Sequence, residues 1–347
     1  MLRTLAIVAM AVMVVAAGRT ANADDQLSVV EGAGTPGFYD LLQDVAEGAG
    51  FFKAAHLEIT KNYAGSAAAA SQLVASGKVD ICSLSVEPAL VGYAKGLSLQ
   101  FFFMRLSRYG YVLAVPAASP IHTLADFKGA QIGEPTPGSP VEVVARSLLS
   151  GAGLKETDYS FVPIGYAATN LQALLSKRVD AVADTYSNVT TNEVQNNIAY
   201  RIFRDPILND IGDAAYGSRP ATIATRGDVL KRFSRALAEA SIFVRADPQA
   251  AARLYMQAAG ERITDQSLAV KARLITLLES DLPAADPNSR RIGYVSGSGL
   301  ALLSRDLVTF GFAAEPVPAA AIATNQFMAY TNDFDRKAVQ ALAHSMH

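Results

Sequence analysis

Apolar positions along this chain follow two spacings in turn. Short runs rich in Val, Ile, Leu and Phe predict strands at Gln26–Glu31, Leu57–Thr60, Val79–Leu84, Leu99–Met104 and Tyr111–Val115. Between them, apolar residues three and four apart predict helices. The first spans Phe38–Phe52, on Phe38, Leu41, Leu42 and Val45. An alanine-rich helix follows Ser66 and runs to Ser76, and Glu87-Pro88 opens another, proline being suited to a first helical turn. The order then recurs, with strands at Ala130–Gly133, Tyr159–Pro163 and Val179–Ala183 and helices at Val141–Ser150 and Thr169–Ser176. A β-branched run predicts one more strand at Ala221–Thr225. Beyond it the spacing is helical, over Asp228–Arg245, Pro248–Ala259, Asp265–Leu278, Gly299–Phe310 and Phe327–His344.

Strand–helix alternation of this kind predicts an α/β protein with largely parallel sheets. Ser76-Gly77-Lys78-Val79-Asp80 matches Ser176-Lys177-Arg178-Val179-Asp180 without gaps, 100 residues apart. Each joins a helix end to a buried strand, so the match predicts two lobes of one design. Residues 26–114 with 220–347 are expected to form lobe 1, and 115–219 lobe 2. The chain would cross near Val112–Pro116 and near Pro220–Thr225, the long C-terminal return making the hinge two-stranded.

The first 23 residues stand apart. Arg3 precedes an apolar run, Leu5–Ala17, shorter than the roughly 20 residues that span a bilayer. Ala21-Asn22-Ala23 follows. Together these predict a secretory signal peptide cleaved after Ala23, and so an exported, periplasmic protein. No cysteine follows the run, so no lipid anchor is expected.

Composition narrows the function. Of 347 residues, 30 are Lys or Arg and 32 Asp or Glu, a net charge of −2. Loss of the leader, with Arg3, Arg19 and no acid, takes it to −4. Nucleic-acid binders lean the other way, so nucleic acid is not an expected partner. A single cysteine excludes an internal disulfide and a thiolate zinc cluster. The four histidines, His56, His122, His344 and His347, are scattered, with no zinc-hydrolase spacing. No metal site, cofactor or catalytic residue is expected: no nucleophile elbow is present, and Cys82 reads as a small apolar residue in mid-strand.

Several segments resemble one family. Gly50-Phe51-Phe52-Lys53 followed by His56-Leu57-Glu58-Ile59 resembles the GxFxxxGLxVE element of the SsuA/THI5-like (NMT1-like) periplasmic solute-binding proteins, with His56 where the family usually has Gly. Leu73–Asp80 resembles its AlxsGxvD element, and Ser119-Pro120-Ile121 with Leu124–Gly129 resembles sgIxslaDLKGK. Leu174–Ala181 and Phe233–Pro248 continue the likeness, which covers most of residues 27–330. It implies a two-lobed, type II-like periplasmic-binding-protein fold. It also implies a monomeric receptor that hands a small-molecule solute to an ABC permease in the inner membrane. Nitrate, sulfonates, taurine and thiamine-pyrimidine precursors are the family's solutes.

Gly32-Ala33-Gly34-Thr35-Pro36-Gly37 matches G-x-G-x-x-G between a strand and a helix. Pro36 removes an amide, however, and no acid stands at the end of the next strand, so a dinucleotide is not expected. The turn more simply offers helix-start amides and Thr35 to a ligand. Ser66, Ser85, Thr136 and Ser139 are hydroxyls at helix starts, where free N–H groups and the helix dipole attract anions. Such hydroxyls also cap their own helices. Strand carboxyl ends carry ligands in open α/β sheets, and all these loops fall there. Phe38, Tyr39, Tyr166 and Tyr186 adjoin the same loops and could pack on a ligand; with no Trp in the chain, stacking must come from Phe or Tyr. Arg105 and Arg108 lie near the lobe 1 rim, and an arginine turned into the cleft, Arg108 being the expected one, would clamp a carboxylate or sulfonate. Glu87 and Asp184 decide the sign of the charge. Turned away, they leave a site for a small organic anion (sulfonate, nitrate or carboxylate). Facing the cleft, they favour an amino-bearing heterocycle such as a thiamine-pyrimidine precursor. Two further readings stay open, a periplasmic sensor partner and a synthase on the same fold, though the synthase would demand a reactive His and clustered Cys.

Overall fold

The computed structural model describes residues 24–346 except 94, 109, 166, 167, 205–211, 280, 281, 283–290, 310 and 312. The leader read over residues 1–23 and the candidate Tyr166 lie outside the described residues. Two five-stranded sheets organise the rest. The first contains β1 (Asp25–Glu31), β2 (Leu57–Tyr63), β3 (Ile81–Ser85), β4 (Gln100–Met104) and β10 (Ala214–Ser218) in the order β2-β1-β3-β10-β4. The second contains β5 (Tyr111–Pro116), β6 (Gln131–Glu134), β7 (Ser160–Pro163), β8 (Ala181–Thr185) and β9 (Tyr200–Phe203) in the order β7-β6-β8-β5-β9. In each sheet the first three strands are parallel, and the fourth is antiparallel to both of its neighbours. The fold is thus the two-lobed α/β architecture that the strand–helix alternation predicted.

The sheets exchange strands differently from expectation. Tyr111–Pro116 pairs with β8 and β9 and belongs to the second sheet, whereas Ala214–Ser218 pairs with β3 and β4 and belongs to the first. The chain therefore passes between the sheets after β4 and before β10, not near Val112–Pro116 and Pro220–Thr225. The two connections bond to each other: Leu106 N–H donates to the Ala214 carbonyl at 3.0 Å and Asp213 N–H to the Leu106 carbonyl at 3.1 Å. A buried apolar run reads the same in either sheet, so periodicity could not place these strands. Ala221–Thr225 is also not a strand. It lies in the helix Pro220–Thr225, whose first position is proline, where the missing N–H costs nothing. The expected helix Phe38–Phe52 is a 3₁₀ turn, Phe38–Asp40, and two helices, Leu41–Gly48 and Phe51–Ala54, the chain turning left-handed at Gly50 (φ 80°). Phe327–His344 is likewise divided, into Met328–Thr331 and Arg336–Ser345.

The repeated five-residue segment performs one task twice. Asp80 Oδ2 accepts the N–H of Ser28 on β1 at 2.9 Å, and Asp180 Oδ2 accepts the N–H of Gln131 on β6 at 2.8 Å. Each aspartate ties the entry of one sheet's middle strand to its parallel neighbour. The turn before each is left-handed, at Gly77 (φ 77°) and Lys177 (φ 56°). His56, standing where the resembled family has Gly, is left-handed too (φ 53°). A Cβ in this region costs about 1–2 kcal/mol, and glycine avoids that cost. Lys177→Gly and His56→Gly should therefore each stabilise the fold, by about 0.5–1 kcal/mol once glycine's greater unfolded-state entropy is subtracted. Urea titration measures this, and a lowered midpoint for both would contradict it.

Helix Gly227–Ala246 packs its apolar stripe on the first sheet. Phe233 stacks on Phe52 at 5.6 Å and meets the edge of Tyr216 at 5.3 Å, all three fully buried. A second apolar cluster joins the sheets, with Cys82, Leu84 and Met104 of the first, Leu113, Val115 and Ala183 of the second, and Leu300, Leu303 and Leu307 of helix Gly297–Thr309. Among the described residues, no helix is long and apolar enough to cross a membrane.

Candidate functional site

A cavity of about 330 Å³ lies beside the two crossings. Phe38, Tyr39, Leu41 and Ser85 line it from the first sheet's loops, and Arg105, Leu106, Gly110, Asp213 and Ala214 from the crossings. Thr185, Tyr186, Ser187, Asn188 and Thr191 line it from the second sheet, and Leu278 and Leu282 close it. Its size is at the low end of the roughly 300–1,000 Å³ usual for small-molecule sites. Two more open hollows lie elsewhere, at Arg291, Tyr330 and Arg336 and at Glu134, Glu142 and Arg146; in the latter, Arg146 already pairs with Glu142 and Glu156.

Of the residues singled out from the sequence, Phe38, Tyr39, Ser85 and Tyr186 line this cavity. Phe38 is held by Tyr255, stacked at 5.1 Å. Tyr186 carries the Arg204 guanidinium over its ring at 3.7 Å, and its N–H donates to the Gly110 carbonyl at 2.6 Å. Burial raises the Tyr39 hydroxyl's pKa above the ordinary phenol value. Thr35, Ser66, Glu87, Arg108, Thr136, Ser139 and Asp184 are not among the lining residues. Ser66 and Ser139 cap their own helices, accepting N–H bonds from Ala69 (3.1 Å) and Glu142 (3.4 Å). Thr35, Thr136 and Arg108 are exposed, and Glu87 is buried in the first turn of its helix.

Asp184 is turned inward. Its carboxylate accepts Asn188 Nδ2 at 2.9 Å, the Thr185 N–H at 2.7 Å and the amide of Asn170. It is 1 % exposed, and burial raises its pKa against the pull of those donors. Its charge is thus spent on positioning the start of helix Tyr186–Asn196. Thr185 caps that helix, accepting the Asn188 N–H at 3.2 Å, so its positive end opens on the cavity.

Of the two rim arginines, the cation that lines the cavity is Arg105, not Arg108. Arg105 leaves the end of β4 half-buried, and its Nε is enclosed without a hydrogen-bond partner. One carboxylate, Asp213, lines the cavity among the described residues. Thr185 was missed, although a signal existed: carried five residues further, the 100-residue match pairs Ser85 with Thr185. Both end the third parallel strand of their sheet, and both line the cavity.

The family model described as NMT1/THI5 like matches residues 43–251, more than half of the chain. The chain belongs to the NMT1/THI5-like family. No curated protein sequence matches it. Among solved structures, the periplasmic aliphatic sulphonate binding protein SsuA from Escherichia coli superposes with a TM-score of 0.67 at 19% identity, over 85% of this chain and 91% of that one. The alkanesulfonate-binding protein SsuA from Xanthomonas axonopodis pv. citri bound to MOPS gives 0.60 at 18%, over 86% and 98%. The desulfurization enzyme DSZB also gives 0.60 at 18%, over 88% and 98%. At these identities the likeness is one of fold, and the fold is shared by binding proteins and an enzyme. In this NMT1/THI5-like chain, Cys82 lies within the first sheet, fully buried, and burial pushes its thiol up to about 12. That thiol stays protonated and out of reach of any solute.

Proposed function

We propose that this chain is the solute-binding receptor of an ABC importer, exported to the periplasm as a monomer, and that its solute is a small organic monoanion with an apolar body. One observation carries the reading: the Arg105 guanidinium and the positive end of helix Tyr186–Asn196 open on a cavity whose other walls are mostly Phe, Tyr and Leu, while Asp184 is consumed by its own loop. A guanidinium suits a sulfonate or carboxylate head, and the apolar walls suit a tail. Nitrate would leave those walls against water. An amino-bearing heterocycle would need a carboxylate in the cavity, and among the described lining residues that is Asp213. The sulfonate-binding neighbours and the family model support the reading, and among the described lining residues none has the chemistry of a nucleophile with its base. The sensor reading rests on no structural observation.

The test is calorimetry and thermal shift with alkane- and arylsulfonates, carboxylates, nitrate and aminopyrimidines. Sulfonates or carboxylates with four or more carbons should bind best; preference for nitrate or for an aminopyrimidine would sink the proposal. Asp213→Asn separates the charge readings. It should tighten anion binding severalfold, because a like charge is removed from the cavity, whereas an amine solute would lose affinity. Export is tested by mass spectrometry of the periplasmic protein, which should begin at Asp24.

A further inference from the structure

Beneath Arg105 lies a buried polar row. Glu31 ends β1, and its Cα partners are Tyr63 on β2 and Ser83 on β3; Ser83 in turn pairs with Tyr216 on β10. Cross-strand partners point to one face of a sheet, so these side chains stand side by side. Glu31, Ser83 and Tyr216 are each at most 2 % exposed. Gln43, from helix Leu41–Gly48, covers the row and donates Nε2 to Glu31 Oε1 at 2.6 Å. The Tyr216 hydroxyl, Gln43 Oε1 and Arg105 Nε meet no hydrogen-bond partner. Tyr216 pairs in turn with Phe103 on β4, and Arg105, two residues further on with its N–H on the Ala214 carbonyl at 2.7 Å, returns to the same face, so the undersatisfied row runs from a carboxyl to the cation that lines the cavity.

We propose that Glu31 is a proton-linked positioning residue for the anion site: protonated, it leaves the charge of Arg105 to the solute, and ionised, it claims that charge from inside the protein. The proposal rests on the reading of Arg105 as the anion's partner. Burial raises the Glu31 carboxyl to about 8, with Arg105 opposing and Asp40 adding to the rise, so the exchange falls just above neutral pH. The other ionisable groups around the row do not duplicate it. Asp40 accepts the Gly37 N–H (3.0 Å) and the Tyr63 hydroxyl (3.1 Å). Asp44 pairs with Lys61 and is raised to about 6. Burial raises the phenols of Tyr39, Tyr63 and Tyr216 above their ordinary value, and the neighbouring thiol Cys82 to about 12.

The sign follows from linkage. An anion on Arg105 screens its charge from Glu31 and raises the Glu31 pKa further, so binding takes up a proton and weakens as pH rises through 8. Calorimetry with butane-1-sulfonate, whose own charge is constant, should show wild-type affinity falling about tenfold or more between pH 6.5 and 9.5. Glu31→Gln, which keeps the size and a neutral head, should hold the pH 6.5 affinity across the range. Asp44→Asn should retain the wild-type profile above pH 7.5. A flat wild-type profile, or a Glu31→Gln profile as steep as wild type, overturns the proposal. No binding at pH 6.5 would instead fail the anion reading. The coupling is then read without a solute, from the carboxyl carbon of Glu31 by NMR. Arg105→Met should raise that midpoint, and an unmoved midpoint rejects the proposal.

Discussion

Arg105→Met should cost the protein nearly all of its affinity for an organic anion. Truncating one partner of a buried charge pair costs about 2–5 kcal/mol, which is roughly 30-fold to several thousandfold in the dissociation constant. Two features of Arg105 place the effect at the upper part of that range. Its side chain is half-buried, so an ion pair formed there is screened by water less than one at the surface. Among the described lining residues it is also the cation, and the helix end that faces the cavity contributes only about 0.3–1 kcal/mol. Arg105→Lys should restore part of the loss, since an ammonium carries the charge without the planar fork. Arg108→Met, at an exposed position away from the lining, should bind as wild type. Calorimetry with butane-1-sulfonate decides the matter: binding by Arg105→Met within threefold of wild type would remove Arg105 from the site.

The largest effect on stability is expected at Phe233. Its ring is wholly buried, stacked on Phe52 and set edge-on to Tyr216, and the three rings fasten helix Gly227–Ala246 to the first sheet. Phe233→Ala should destabilise by about 3–5 kcal/mol, the transfer loss plus the cavity left behind. Against a total of about 5–15 kcal/mol, that is enough to lower the melting temperature by many degrees. Phe233→Leu, which refills part of the volume, should cost clearly less. A melting temperature unchanged in Phe233→Ala would show that the ring triad is not the fastening. Because Tyr216 also stands in the polar row with Glu31, the alanine variant should disturb the row as well, whereas the leucine variant should spare it.

Much of the architecture was readable from the chain. Short apolar strands bounded by turn residues and helices with a 3.6-residue period are local signals, and they placed eight of the strands. The repeat at Ser76–Asp80 and Ser176–Asp180 marked two copies of one unit because its chemistry is local too: a left-handed turn, then an aspartate that takes the amide of the neighbouring strand. The strands missed were β9 and β10. Tyr200–Phe203 has no two-residue alternation in its burial, and Ala214–Ser218 carries small residues with one aromatic, so neither pattern announces a strand.

The site divides along the same line. Sequence by itself determined which loops follow the parallel strands, and so brought Phe38, Tyr39, Ser85 and Tyr186 to the cavity, because ligands in open α/β sheets bind outside the carboxyl ends of the strands. Only the tertiary structure decided the electrostatics. Arg105 and Arg108 stand three residues apart in an irregular segment with no period, so nothing local shows that one turns inward and the other outward. Asp184 is consumed by Asn170 and Asn188 from beyond its own strand, and Ser66 and Ser139 are spent on their helices. The exchange of β5 and β10 between sheets was likewise invisible, since hydrogen bonds between distant segments, not side-chain periodicity, assign an apolar strand to its sheet. A periodic pattern records which face of an element is buried. The neighbour it is buried against, and the partner each charge finds there, are properties of chain segments that lie as much as 220 residues apart.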